Sequence, residues 1–342
     1  MSLVLITSDR FADHVLPPGH PERVERAEAM QVVAGEFARR GGRRIEPRAA
    51  TEAELVAVHH LDYVGLIRET AGRAVALDAD TFTSPDSYDV ALLAAGAIAT
   101  AVEHVLDAGS ESRALALVRP PGHHAERGRA MGFCLFNNIA VGASIARARG
   151  LSRVAVVDFD VHHGNGTQHT FYDDPSVLVI SSHQYPFYPG SGAADESGAG
   201  AGKGFNVNFP IEAGATDADY ERVYEVATSI LRQFKPELLL VSMGFDAHRD
   251  DPLGGMRLTS NQFARLTALI MAVADECCRG RLVATVEGGY DLGALADSIR
   301  GVISVLEGST SLDRLPVPTG DTRRGEAAIT AARAHLGQAW KL

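Results

Sequence analysis

The sequence predicts an α/β fold, a parallel sheet covered by helices on both faces, on three observations. Five short apolar runs are each followed by a polar loop, and helical patterns intervene between most of them. The runs are continuous in Val, Leu and Ala rather than alternating, as strands buried on both faces are. Every group that suggests chemistry falls at the carboxyl end of such a run, where ligand sites of open parallel sheets lie.

The elements follow in order. Residues 3–7 read as a short buried strand. Pro17-Pro18-Gly19-His20-Pro21-Glu22-Arg23 is a turn-rich segment leading into a helix near 24–39. Residues 53–60 and 62–69 read as helices, and 76–87 as a loop. Residues 88–108 form a long Ala-rich apolar helix stopped at Gly109. A strand at 114–118 precedes Arg119-Pro120-Pro121-Gly122-His123-His124, and a strand at 153–157 precedes Asp158-Phe159-Asp160-Val161-His162-His163-Gly164-Asn165-Gly166. Further strands at 177–180, 238–242 and 282–286 precede Ser181-Ser182-His183, Gly244-Phe245-Asp246 and Glu287-Gly288-Gly289-Tyr290. Between them lie helices at 138–149, from Thr216 and Asp219 to Lys235, and from Thr259 and Gln262 (the fuller capping box) to about Arg279. Residues 190–204 read as a surface loop. No linker divides the chain, so 1–342 is read as a single domain.

Composition sets the class. With 46% hydrophobic and 22% charged residues a sizeable core forms and wholesale disorder is excluded. The net charge of -11 argues against direct nucleic-acid binding, and solubility explains it better than a basic substrate does. Cys134, Cys277 and Cys278 make no Cys-x-x-Cys pair, so neither a disulfide framework nor a cysteine zinc site is expected, which fits a reducing cytosol. The N-terminus lacks the basic region and apolar length of a signal peptide. No uninterrupted apolar stretch is long enough to span a bilayer, so a cytoplasmic protein without a membrane partner is expected; an oligomer is left open.

The stretch after residue 157 carries the chemistry. Along an extended chain Asp158, Asp160 and His162 fall on one side, with Phe159 and Val161 on the other. A catalytic Zn²⁺ typically takes three protein ligands and keeps a position open for water. The competing reading is a solvated loop, but Asp-x-Asp-x-His-His directly after an apolar run is hard to obtain from surface composition. Asp160, His162 and Asp246 make a hard-to-borderline donor set that suits Zn²⁺, with Fe²⁺, Mn²⁺ or Co²⁺ able to substitute. Standing alone, Asp246 would serve equally well as a cap. His123-His124 projects from a stiff Pro-Pro-Gly turn and can supply a general base. Such a pair is more often structural, and its place beside the metal motif reverses that weighting. Each imidazole needs a partner to fix its tautomer, and Asp158 and Asn165 are the candidates. Glu287-Gly288-Gly289-Tyr290 aims a phenol at the strand ends, a neutral donor suited to an oxyanion; a tyrosine packed beside a glycine turn is the plain alternative.

In this order these residues resemble the zinc-dependent histone deacetylase and acetylpolyamine amidohydrolase superfamily, from His20-Pro21-Glu22-Arg23 to Tyr290. No single motif would suffice; together they are specific. The resemblance implies the arginase/deacetylase fold, a three-layer α/β/α sandwich around a mostly parallel eight-stranded sheet. It implies hydrolysis of the acyl amide of a lysine-like amine, with one zinc held by Asp160, His162 and Asp246. His124 would be the general base and then protonate the leaving amine. His123 would assist electrostatically, oriented by Asp158, and Tyr290 would donate to the oxyanion. Gly132, Phe133 and Tyr188 match the walls of the family's narrow channel, with Leu253 at its gate. Arg26, counted with the channel, matches a basic residue near an internal acetate cavity. A structural potassium site would use Asp158, Asp160, His162, Ser181 and Ser182, and a second Phe171, Asp174 and Val177.

Asn165 matches a class II-like branch, and the simple architecture a bacterial member. Tyr290 stands where poorly active members have His, so activity is expected. Leu253 sits where a polyamine-selective relative carries an acid, which favours acyl-lysine in peptides or proteins. A long dimer-forming insertion of some polyamine enzymes is absent from 68–87, and no rim contact is assigned near Thr83 and Ser84. The leading expectation is a protein lysine deacetylase or deacylase. An acetylpolyamine amidohydrolase, a long-chain deacylase and a silent acyl-lysine binding module are the alternatives. An arginase-like two-manganese hydrolase is disfavoured, because the ligand pattern predicts one metal.

Overall fold

The computed structural model describes residues 2–107 and 112–341. Its strands are β1 Ser2–Ile6, β2 Arg43–Ile45, β3 Val75–Ala76, β4 Phe82–Thr83, β5 Ser112–Ala116, β6 Val154–Asp158, β7 Val177–Gln184, β8 Asn206–Ile211, β9 Leu238–Met243 and β10 Leu282–Val286. Its helices are α1 Glu25–Arg39, α2 Glu52–Val56, α3 Leu61–Arg68, α4 Ser87–Asp107, α5 Asn138–Ala148, α6 Asn165–Thr170, α7 Asp217–Phe234, α8 Ser260–Cys277, α9 Leu292–Leu306 and α10 Arg323–Leu336. Eight strands form one sheet in the order β2-β1-β5-β10-β9-β6-β7-β8, and each pairing is parallel. β3 and β4 make a separate antiparallel hairpin.

The continuous apolar strands are explained by two cores. In β6, Ala155 and Val157 enter one core while Val154 and Val156 enter the other; in β1, Leu3 and Leu5 oppose Val4 and Ile6. Side chains of α1, α7, α8, α9 and α10 close the first, and those of α3, α4 and α5 the second. Burying a Val, Leu, Ile or Phe side chain contributes about 1.5–3 kcal/mol. A strand covered on both faces gains this at every residue, so selection for alternation disappears.

Several elements differ from the sequence reading. β7 runs on to Gln184, because β8 pairs with it from Val179↔Asn206 to Gln184↔Ile211. Ser181, Ser182 and His183 are therefore strand residues, not loop. The two sheet edges, β2 and β8, escaped notice because one is Arg-Arg-Ile and the other carries Pro210. An edge tolerates both charge and a missing N–H. The 76–87 loop holds the end of β3 and all of β4, and Ser87 already belongs to α4. Ala108 and the expected stop at Gly109 lie outside the described residues. The 190–204 segment is half packed rather than superficial: Gly192, Ala194, Ser197 and Gly202 are buried. Thr259 and Gln262 form no capping box; Thr259 N–H and Oγ1 donate to Asp217, and Gln262 donates to Glu221. At the start of α7 Asp219 does accept the Thr216 N–H, at 2.9 Å. The helices α6, α9 and α10 were not foreseen.

The expectation about apolar length is also corrected. By length and composition α4, with mean hydropathy 1.6, is long and apolar enough to cross a membrane. In the structure 61% of that window is buried, with Val90, Ala94, Ile98 and Val102 in the second core.

Candidate active site

The site is assembled at the carboxyl ends of the central strands β5, β6, β9 and β10. Past β6 the backbone leaves the strand and turns on its own carboxylates: Asp160 N–H donates to Asp158 Oδ1 at 3.0 Å and His162 N–H to Asp160 Oδ1 at 2.9 Å. The predicted division of faces holds. Phe159 and Val161 enter the first core, and Asp160 and His162 face the site. From the end of β9, Asp246 joins them and accepts the Val161 N–H at 2.9 Å. One donor atom from each of Asp160, His162 and Asp246 lies within 4.8 Å of the others, all buried. Gly288 N–H donates to Asp160 Oδ2 at 2.8 Å. A Cβ at Gly288 would sit 2.1 Å from Asp246 Oδ2, so the first glycine after β10 is fixed by the carboxylates it covers.

The donor set fits a divalent cation. Burial and then the charge of Asp160 push the Asp246 carboxyl up. Burial disfavours a proton on His162, yet its contacts with Asp160 and Asp246, at 3.1 and 3.2 Å, hold it well above the usual imidazole range. Two buried carboxylates facing one imidazole are a concentration of negative charge that a cation relieves, and an O, O, N set of this kind suits zinc.

The two histidines beside them are unlike. His123 Nδ1–H donates to Asp158 Oδ2 at 2.9 Å. Against burial, the charges of Asp158 and Asp160 raise it to about 10. His124 Nδ1 lies 2.7 Å from Asn165 Oδ1. The Asn165 Nδ2 donates to Glu126 Oε1 at 2.5 Å, which turns the amide oxygen towards His124. An amide oxygen can only accept, so the His124 proton is on Nδ1 and Nε2 carries a lone pair. Burial, then the charges of His123 and His162, keep His124 well below the usual imidazole range.

The sequence alone gives Glu287 no role. It is fully buried and accepts the Gly122 and His123 N–H groups at 2.7 and 3.2 Å and Ser242 Oγ at 2.8 Å. It thereby fixes the histidine loop to β9 and β10; burial pushes its carboxyl up to about 7. A glutamate closing a buried strand was the available signal. Tyr290 is 6% exposed, and burial holds its phenol well above its ordinary value, so it is a neutral donor.

A narrow channel leads down to His123, His124, His162, Gly288 and Tyr290. Gly132, Phe133, Tyr188 and Leu253 line it as expected, together with Asp80, which was not foreseen. Gly132 and Phe133 both lie in the left-handed region, at φ 56° and 68°. A Cβ on Gly132 would stand 2.3 Å from the His124 ring. Thr83, in β4 itself, and Ser84, just after it, are buried.

Arg26 is corrected: it does not line the channel. It lies fully buried behind Tyr290, 5.0 Å from the ring centre, and donates to the main-chain oxygens of Glu287 and Gly289 and to Glu22. A guanidinium with those acceptors has no reason to face a channel.

For the first potassium set, the β6–β7 register puts Asp158 opposite Ser181. The Ser181 and Ser182 hydroxyls are engaged by His183 Nδ1 and Tyr224 Oη. Phe171, Asp174 and Val177 mark two successive turns between α6 and β7, where the Asp174 carboxylate accepts the Ser176 N–H and Oγ–H.

The family model described as histone deacetylase domain matches residues 18–306. A probable deacetylase of Archaeoglobus fulgidus is 38% identical over 89% of this chain and 86% of its own length. The histone deacetylase-like amidohydrolase of Pseudomonas aeruginosa is 40% identical over 89% of this chain and 82% of its own. The human polyamine deacetylase HDAC10 is 40% identical over 93% of this chain, which spans only 50% of that protein. Among solved structures, the crystal structure of the HDA15 HD domain superposes with a TM-score of 0.91 and 36% identity, over 99% of this chain and 97% of that one.

Proposed function

The chain belongs to the histone deacetylase family, a family of deacetylases and amidohydrolases, and from that premise we propose a zinc-dependent enzyme that removes the acyl group from a linear primary amine. The observation that carries the reading is the buried Asp160, His162 and Asp246 set at the foot of a channel shared with His124 and Tyr290. Asp160, His162 and Asp246 would hold the ion. Bound there, it would polarise the acyl carbonyl and acidify a water.

The chain's own residues do the rest. His124, neutral and held by Asn165, takes the proton of the attacking water on Nε2. As the C–N bond breaks it returns that proton to the amine nitrogen, so an acid and a free amine leave. His123, charged through Asp158, offsets negative charge developing beside it. Tyr290 donates its O–H to the oxyanion of the tetrahedral species. Phe133, Tyr188 and Leu253 exclude water along the methylene chain. Structural potassium at Asp158, Asp160, His162, Ser181 and Ser182, with a weaker site at Phe171, Asp174 and Val177, completes the proposal.

The apolar Leu253 favours acyl-lysine in a peptide or protein; the carboxylate of Asp80 favours a second reading, an acylated polyamine. The deciding experiment is kcat/KM on an acetyl-lysine peptide and on acetylputrescine, with zinc loaded and after chelation. Turnover of at least one substrate is expected, lost on chelation and regained with Zn²⁺. Activity that survives complete removal of metal would sink the mechanism.

A further inference from the structure

His124 is a base in only one tautomer, and what fixes that tautomer lies one residue beyond its partner. A side-chain amide can turn by 180° and exchange its oxygen for its NH2 group with almost no change of shape. With Oδ1 towards His124, Asn165 accepts from Nδ1–H and leaves the Nε2 lone pair free. Turned over, it would donate to Nδ1, and the ring proton would then sit on Nε2, where it blocks the base. His124 and Asn165 taken alone form a hydrogen bond either way.

Glu126 breaks the tie. Its Oε1 accepts from Asn165 Nδ2 at 2.5 Å and from His169 Nδ1 at 2.9 Å. Asn165 and His169 stand one turn apart on α6, so a single carboxylate reaches both. Burial opposes the Glu126 charge, but His169, then the Asn165 amide and Arg129, hold the carboxyl below its usual range. An ionised carboxylate has no proton to give, so it admits only the NH2 side of the amide. The other acceptors near Nδ2, the His124 main-chain oxygen and Met131 Sδ, both stand at 3.4 Å and hold it weakly. The Glu126 main chain is itself fixed. Its N–H donates to the Arg129 oxygen at 2.9 Å, and its own oxygen lies 2.9 Å from Nδ1 of the buried His59. His59 Nε2 accepts the Asn137 N–H at 2.9 Å, so the His59 proton is on Nδ1 and is donated to Glu126. Glu126 does not line the channel, and its side chain is 19% exposed.

We propose that Glu126 is a positioning residue for the hydrolysis: as a group that only accepts, it sets the Asn165 amide, and through that amide the Nδ1–H tautomer that leaves His124 Nε2 free to take a proton. The inference rests on the role proposed above for His124.

The test replaces the acceptor by a donor. In zinc-loaded Glu126→Lys, kcat on whichever of the two acetyl substrates is turned over should fall by about 10²- to 10³-fold, within what a general base supplies, while KM stays near that of the wild type. A damaged fold would also lower kcat, so the deciding arm is the same change in an Asn165→Asp background. Both oxygens of that carboxylate accept from His124 however it turns, and a donor at position 126 then becomes a partner instead of an intruder. There Glu126→Lys should raise kcat above that of Asn165→Asp alone. A fall in both backgrounds overturns the proposal. Nitrogen-15 NMR of the histidine rings reads the tautomer without any turnover. The His124 signal, identified by its absence from His124→Ala, should show the proton on Nδ1 in the wild type and on Nε2 in Glu126→Lys. A wild-type proton on Nε2, or one that stays on Nδ1 in Glu126→Lys, overturns the proposal. A tautomer that follows position 126 in a protein that hydrolyses neither amide would remove the hydrolase reading and leave the hold of Glu126 on His124 standing.

Discussion

Two adjacent imidazoles with ring centres 4.0 Å apart lie on opposite sides of neutrality because the charges around them differ. Asp158 and Asp160 outweigh burial and hold His123 charged; burial, then the charges of His123 and His162, keep His124 neutral, while the Asn165 amide oxygen fixes its tautomer. The pair was readable in the sequence because its partners, Asp158 and Asn165, belong to one contiguous motif. Tyr290 gives the sharpest test at this scale. Its hydroxyl has no partner among the described hydrogen bonds, while its ring packs on Phe133 and Arg26. Tyr290→Phe should therefore keep the packing and the melting temperature, yet lower kcat by about 10²- to 10³-fold, the usual effect of removing an oxyanion donor. Unchanged kcat would exclude the phenol from the chemistry. A variant that binds acyl-lysine as tightly as a wild type without turnover would identify a binding module.

Between elements, the sequence is less readable, because the residues that join loops have no local pattern. Asp251, two residues before Leu253, has no local pattern to mark it. In the structure its carboxylate accepts the Leu253 N–H at 2.9 Å and the Tyr290 and Asp291 N–H groups at 2.6 and 3.2 Å. One side chain thus ties the loop that carries the gate to the loop that carries the phenol. Asp251→Ala would leave three amides to find new acceptors, at about 1–3 kcal/mol for each that stays buried and unmade. The expected outcome is a fall in kcat of at least about tenfold, as displaced catalytic groups produce, together with a lower unfolding midpoint in denaturant. Asp251→Asn, which keeps one carbonyl oxygen, should recover part of kcat. If both variants lose stability but hold kcat, Asp251 braces the loops without positioning Tyr290. The same lack of local signal hid β2 and β8: polar and Pro-bearing edges look like loops until a neighbouring strand is placed beside them.

At the scale of the molecule, the least readable feature is charge in the interior, since a buried glutamate and a surface glutamate are the same letter. Glu22, Arg26 and Arg119 are all fully buried. Arg119 donates to Glu22 at 2.5 and 2.8 Å and to the main-chain oxygens of Phe11 and His14; Arg26 donates to Glu22 at 2.8 Å. Through Arg26 the cluster reaches the main chain at Glu287 and Gly289, so it joins the segment before α1, the loop after β5 and the turn after β10. Burial opposes the Glu22 charge, but Arg119 and then Arg26 outweigh it and bring its pKa down to about 2, from an ordinary 4.5. A carboxyl held lower in the folded than in the unfolded chain stabilises the fold above the unfolded pKa. That stabilisation drains away as pH falls from about 4.5 towards about 2. Glu22→Gln strands two guanidinium groups in the interior and should cost about 3–5 kcal/mol near neutral pH. That is a large share of the roughly 5–15 kcal/mol that holds a domain together. Denaturant unfolding of wild type and variant should show a gap that narrows across the pH 4.5 to 2 window as the wild-type carboxyl takes up its proton. A gap of the same size at both ends would mean that shape, and not charge, is what Glu22 contributes. A gap that closes would show the turn behind Tyr290 to be anchored by an ion cluster that spans the N-terminal, central and C-terminal thirds of the chain.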